Sequence, residues 1–124
     1  MRLVKDGSAS EATMAETRTQ ARIVLTTVSD AAEAERLART LVEEHLAACV
    51  SLLPGVQSIY HWAGEVESAS EILLLIKTGA DQVGALEQRL RSLHSYETPE
   101  FLVLKVESGS LSYLDWMQAN LRRA

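Results

Sequence analysis

Between Leu46 and Lys77 the chain reads LAACVSLLPGVQSIYHWAGEVESASEILLLIK, two long strand-like runs on either side of a polar turn. The second run is apolar on both faces. Side chains alternate across a strand, so Ile72, Leu74 and Ile76 point one way while Leu73 and Leu75 point the other. Such a strand needs cover on both sides, and a chain of 124 residues has few helices with which to supply it. Either a second copy of the chain forms the missing layer or the segment is not a strand.

Hydrophobic spacing sets the frame around this hairpin. Ile23 to Val28 is a β-branched run that predicts a strand, and Asp30 with Glu33 three residues on forms an N-cap and its capping partner. Ala34, Leu37, Ala38, Leu41 and Val42 then recur at helical spacing as far as Glu44, which turns Glu33, Arg36, Arg39 and Glu43 mostly toward water. Val50 to Leu53 predicts a strand, bulged or kinked at Pro54-Gly55 and continued from Val56 to Trp62. Ala63-Gly64 is the turn. Glu65 to Glu67 opens the return strand, Ser68-Ala69-Ser70 weakens it, and Glu71 to Thr78 completes it. Val83, Leu86, Leu90 and Leu93 mark a second helix with Asp81 near its start, and Thr98-Pro99-Glu100 opens a strand from Phe101 to Glu107. A last helix runs from Leu111 to Arg122, with Ser112 and Asp115 as candidate caps and Leu114, Met117 and Leu121 as its apolar stripe.

The order β-α-β-β-α-β plus a terminal helix predicts an α+β fold. It is the ferredoxin-like split βαβ, with a long kinked central hairpin and helices on one face of an antiparallel sheet. The other face, rich in Leu and Ile, is then bare, and oligomers bury such faces. Residues 1–21 are polar and aperiodic, so they are expected as a flexible N-terminal extension to a single domain over 22–124.

Composition narrows the partners. Hydrophobic residues at 47% and charged residues at 23% suit one globular domain, and a net charge of -5 without a basic block argues against nucleic acid. No aliphatic run approaches the ~20 residues of a membrane helix. The single cysteine, Cys49, makes no internal disulfide and fits a reducing compartment, so the expected location is the cytoplasm.

Catalytic signatures are missing from the chain. It has no GxxxxGK[ST], GxSxG, HExxH or CxxC sequence, and the expectation is a protein that is not an enzyme. Metal donors are His45, Cys49, His61 and His94, since imidazole and thiolate suit copper or zinc. Cys49, beside Ala47 and Ala48, reads first as a small buried residue, and His45 reads as a solvated helix end. On a regular strand His61 faces away from Tyr60 and Trp62. His94 fits a site or a surface equally. A third option is a small-molecule cleft rimmed by Tyr60, Trp62, Lys77, Tyr96, Glu97 and Glu100, against which stands a role for the aromatics as interface or core anchors.

Several blocks in order resemble the CutA family, the divalent-cation tolerance proteins. These are Leu46-Ala47-Ala48-Cys49-Val50, Leu53-Pro54-Gly55 with Ser58-Ile59-Tyr60 and Trp62-x-Gly64-x-Val66, Lys77-Thr78, Tyr96-Glu97-Thr98-Pro99-Glu100, and Tyr113-Leu114-x-Trp116. The resemblance covers nearly the whole chain after residue 22. It implies a ferredoxin-like subunit in a tight homotrimer, similar in architecture to PII signalling proteins, with the long hairpins completing sheets between neighbours. It also implies a link to copper tolerance and copper binding, with no required cofactor and no established reaction. In some bacterial members the proposed ligands are a cysteine at the end of the first strand and a histidine pair before the Tyr-x-x-Pro-Glu block. The matching positions here hold Thr26 and Leu93-His94, so His94 alone is kept from that set, while Cys49 matches the family's Leu-Ala-Ala-Cys block. His94 and Cys49 are therefore the candidate metal ligands. The expectation is a cytoplasmic homotrimer that responds to divalent metal and binds copper weakly. The alternative is a PII-like regulatory trimer that holds a small anionic or zwitterionic molecule in inter-subunit clefts.

Overall fold

Strand β1 (Ala21–Val28) alternates buried Val24, Thr26 and Val28 with half-buried Ile23, Leu25 and Thr27, so neither of its faces is a polar one. It lies inside a four-stranded antiparallel sheet of order β2-β3-β1-β4, formed with β2 (Cys49–Trp62), β3 (Glu65–Gly79) and β4 (Leu102–Lys105). Helices α1 (Ala31–Glu43), α2 (Val83–Leu93) and α3 (Leu111–Ala119) complete the domain. The computed structural model describes residues 20–122. The expected N-terminal extension lies outside those residues apart from Gln20 and Ala21, of which Ala21 already belongs to β1.

Helices α1 and α2 cover one sheet face. Leu37, Leu41, Leu86 and Leu90 meet Val24, Val28, Leu74 and Ile76 there in a core closed to water. Full burial of each such side chain contributes about 1.5–3 kcal/mol. Asp30 caps α1 as expected, its Oδ1 accepting from the Glu33 amide at 2.8 Å, but the Glu33 carboxylate goes to Ser95 instead of reaching back as a capping partner. The helix ends with His45 in the left-handed region (φ 59), its amide bonded to Val42 O and the Leu46 amide to Leu41 O, each at 3.0 Å. Arg89 of α2 grips the Glu44 carboxylate with bonds of 2.9 and 2.8 Å, which ties the helices together and holds the Glu44 carboxyl below its ordinary range.

Five local expectations are corrected. Glu33 is buried rather than turned to water, because it faces the loop after α2. Asp81 does not cap α2; it sits in a 3-10 turn, Ala80–Gln82, and the α2 start has no side-chain cap. Ser110, not Ser112 or Asp115, caps α3, accepting from the Tyr113 amide. Strand β4 is four residues long, and α3 stops at Ala119 before its chain end turns back to His45. There α3 packs across the end of the sheet, with Met117 and Leu121 against Ala21 and Ala48.

The hairpin is continuous. Ala63 and Gly64 both take positive φ (52 and 80), the geometry of a two-residue turn matched to strand twist. Opposite Ile72, Pro54 and Gly55 form a bulge, since Leu53 pairs with Leu73 but Val56 pairs with Glu71. The extra residue resets the alternation, so Cys49, Ser51, Leu53, Val56, Ser58, Tyr60 and Trp62 all share the face that the helices leave bare. Strand β1 pairs with β3 only over Ile72–Gly79. The outer half of the hairpin, 56–71, therefore projects as a two-stranded arm, with Ile59 72%, Trp62 69% and Val66 66% exposed. A two-stranded ribbon alone is marginal in water.

Two threonines are buried on the helix side. Thr78 Oγ1 donates to Leu46 O at 2.7 Å, whereas Thr26 Oγ1 has no partner among the described residues. A buried unsatisfied hydroxyl costs about 1–3 kcal/mol. Thr26→Val keeps the shape and the β-branch while removing that group, so it is expected to stabilise the fold by about 1 kcal/mol, read as a higher urea midpoint at unchanged slope. A lower midpoint would show that the hydroxyl is satisfied in solution.

Candidate functional site

The loop after α2 is built on the buried carboxylate of Glu33. Glu33 lies four residues before Leu37 and eight before Leu41, so α1 turns it inward on the same stripe. Its Oε2 accepts from the Ser95 amide and its Oε1 from Ser95 Oγ, both at 2.9 Å. That clamp sets His94, whose side chain is fully buried. Nε2 donates to Thr27 O at 2.8 Å, and Nδ1 accepts from the Tyr96 amide at 3.0 Å with Glu33 Oε2 3.7 Å away. A neutral ring with its proton on Nε2 satisfies both bonds. Both ring nitrogens are therefore engaged inside the subunit.

Tyr96 packs against the His94 ring at a centroid distance of 4.8 Å and donates its hydroxyl to Glu71 Oε2 at 2.7 Å. Burial, then the hydrogen bond and charge of Glu71 and the nearby Glu33 and Tyr60, raise the Tyr96 phenol above its ordinary range. Glu97 and Glu100 are exposed on the same loop.

Cys49 and Lys77 form a separate group, paired across β2 and β3 on the bare face. The Lys77 ammonium donates to Ser51 Oγ and lies 3.8 Å from Cys49 Sγ. Burial, and after it Cys49, raises the Tyr113 phenol above its ordinary range. Cys49 is half-buried.

These positions do not converge on one site within a subunit. His94 docks on Thr27, opposite Leu73, whereas Cys49 stands opposite Lys77, four residues or about 13 Å farther along β3. Tyr60 and Trp62 stand opposite Glu67 and Glu65, about 30 Å or more from Lys77, and His61 faces the other way from both aromatics. Among the described residues no group of three or more His, Cys, Asp or Glu is poised to hold a metal ion. A cavity of about 210 Å³ opens elsewhere, between α3 and the ends of β1 and β3, lined by Thr78, Gly79, Leu114, Met117 and Leu121 among others. Sequence reasoning missed Glu33, Glu71 and Ser95. The spacing of Glu33 with Leu37 and Leu41 carried a signal; Glu71, between Ser70 and Ile72, carried none.

An antiparallel β2-β3-β1-β4 sheet with α1 and α2 on one face belongs to the ferredoxin-like α+β class. A family profile described as CutA1 divalent ion tolerance protein matches residues 22–120. The chain is 48% identical over 100 residues to the divalent-cation tolerance protein CutA of Pectobacterium atrosepticum, covering 81% of this chain and 91% of that one. Among solved structures, the divalent cation tolerance protein from Thermus thermophilus aligns at a TM-score of 0.80 and 43% identity, covering 82% of this chain and 99% of that one. The periplasmic divalent cation tolerance protein CutA from Archaeoglobus fulgidus aligns at 0.80 and 31% identity, covering 82% and 99%. The chain belongs to the CutA divalent-cation tolerance family.

The raised phenols make stability sensitive to alkali. As pH rises past about 10, tyrosine in the unfolded chain ionises first. The stability that the raised value represents is complete below that pH and is lost as pH climbs toward the folded-state value. Urea midpoints are expected to fall between about pH 9 and about pH 11. Tyr96→Phe should lower the midpoint at neutral pH and flatten the alkaline fall, leaving the part due to Tyr113; an unchanged alkaline slope would remove Tyr96 from the effect.

Proposed function

We propose that this chain serves divalent-cation tolerance as a homotrimer assembled through its bare sheet face and hairpin arm. Metal contact, in this reading, is weak and directed at copper. The observation that carries the assembly is the arm itself: a two-stranded ribbon with exposed Ile59, Trp62 and Val66, continuous with a face carrying Leu53, Leu102 and Leu104 about half exposed. An apolar surface of that extent is of the kind that oligomers bury.

For the metal, Cys49 is the more available donor. Its sulfur is half-buried beside Lys77, and thiolate favours copper. His94 would have to release the Tyr96 amide or Thr27 O before binding. One thiolate per subunit makes a site only where symmetry brings several together or a neighbour adds ligands. The small-molecule cleft is not formed within one subunit, where Lys77 stands far from Tyr60 and Trp62 and Tyr96 is committed to Glu71, so it would need the arm of a neighbouring copy. No reaction is assigned. Among the described residues no helix is long and apolar enough to cross a membrane. The lone cysteine favours a cytoplasmic setting, which cell fractionation would test against the periplasmic location named for the Archaeoglobus fulgidus relative.

Native mass measurement is expected to give three copies, and a monodisperse monomer would overturn the assembly. Copper titrated into that trimer should bind specifically and weakly. Cys49→Ser should reduce the affinity by about tenfold or more, while His94→Ala should chiefly lower thermal stability. Affinity unchanged by Cys49→Ser would remove the thiol from the site.

A further inference from the structure

Lys77 places a cation on the bare face. The residue is half-buried there, with its ammonium against the Ser51 hydroxyl and the Cys49 sulfur and Ile23 opposite on β1. Among the described residues it makes no ion pair. Covering this face with another copy would strip the remaining water from the ammonium, and a buried charge left unpaired is strongly unfavourable.

The same face carries carboxylates at its far end. Odd-numbered residues of β3 share one side, so Glu65 and Glu67, opposite Trp62 and Tyr60, lie on the Lys77 side of the sheet. Both are exposed and make no ion pair among the described residues. Glu71, the other acidic residue of that row, is taken by Tyr96. The face thus has a cation at its base and two carboxylates on the arm, about 33 Å and more away. Charges so far apart cannot meet within one subunit. A closed ring of head-to-tail contacts, by contrast, lays the arm of each copy on the base of the next.

We infer that Lys77 of each copy is neutralised by Glu65 and Glu67 on the arm of a neighbouring copy. This rests on the homotrimer proposed above and adds to it the contact that sets register. Apolar packing supplies most of the attraction but is non-directional, whereas opposed charges discourage sliding and wrong partners. The Lys77 group, with Ser51, Cys49 and Tyr113 beside it, is then complete only when a second copy is present.

Charge reversal tests it. Lys77→Glu alone, and Glu65→Lys with Glu67→Lys, are each expected to weaken assembly by about tenfold or more in dilution followed by sedimentation velocity. Combining the three substitutions should restore assembly to within about threefold of the wild type. Wild-type assembly should also weaken as salt is added. A combined variant no better than either parent overturns the pairing, and so does salt-independent wild-type assembly, which needs no variant to fold. In both cases the trimer stands. A wild-type monomer overturns the trimer and the pairing together.

Discussion

Between Ile72 and Ile76 both faces of β3 are apolar, and the rest of the molecule is arranged around covering them. Leu74 and Ile76 vanish beneath α1 and α2, and β1 and β2 flank the strand on its two edges. Leu73 and Leu75 on the opposite face stay half-buried, because the chain after β3 supplies only α2 to the helix side, a four-residue edge strand and a helix across the sheet end. A two-layer domain protects one side of its sheet. The second side is left largely uncovered by the subunit itself.

The bulge decides what that second side contains. Without the extra residue at Pro54-Gly55, the outer half of β2 would present Ile59 and His61 on the bare face and turn Tyr60 and Trp62 away. Gly55 sits at φ 77 with open space around its Cβ position, so glycine serves the backbone conformation there rather than a close approach. The reset carries the aliphatic row of the base into the aromatic row of the arm without changing face. It also brings Tyr60 near enough to Tyr96 to add to the upward shift of the Tyr96 phenol.

The sheet was legible because its signals are local. Alternation in Ile72–Ile76, the proline-glycine break and the Asp30 cap each follow from a few neighbouring residues, and each is where periodicity places it. The site was less legible because its bonds join distant segments. Glu33 to Ser95, Tyr96 to Glu71 and His94 to Thr27 span the helix, the loop and the sheet end. Glu33 satisfied a capping pattern that sends a side chain outward, and burial against a loop more than sixty residues on overrode it. Where caps failed, at Asp81 and Ser112, the helix began one or two residues from the best local signal, which is the ordinary uncertainty of helix ends.

The buried loop also limits how the fold can respond to metal. His94 is held by two hydrogen bonds, a tilted Tyr96 ring packed against it and the Glu33 clamp on its neighbour, so freeing a ring nitrogen means opening that network. The apparent affinity of any ligand is reduced by the fraction of molecules already in the competent state. An opening cost of about 3 kcal/mol, the scale of two buried hydrogen bonds, lowers affinity by about two orders of magnitude. A strong copper site at His94 and a well-packed sheet end are therefore in competition, and here the packing has both nitrogens. The Cys49 sulfur is less tightly held, since it is half-buried on the face away from α1 and α2 and its contacts are with the Lys77 ammonium and the Tyr113 phenol.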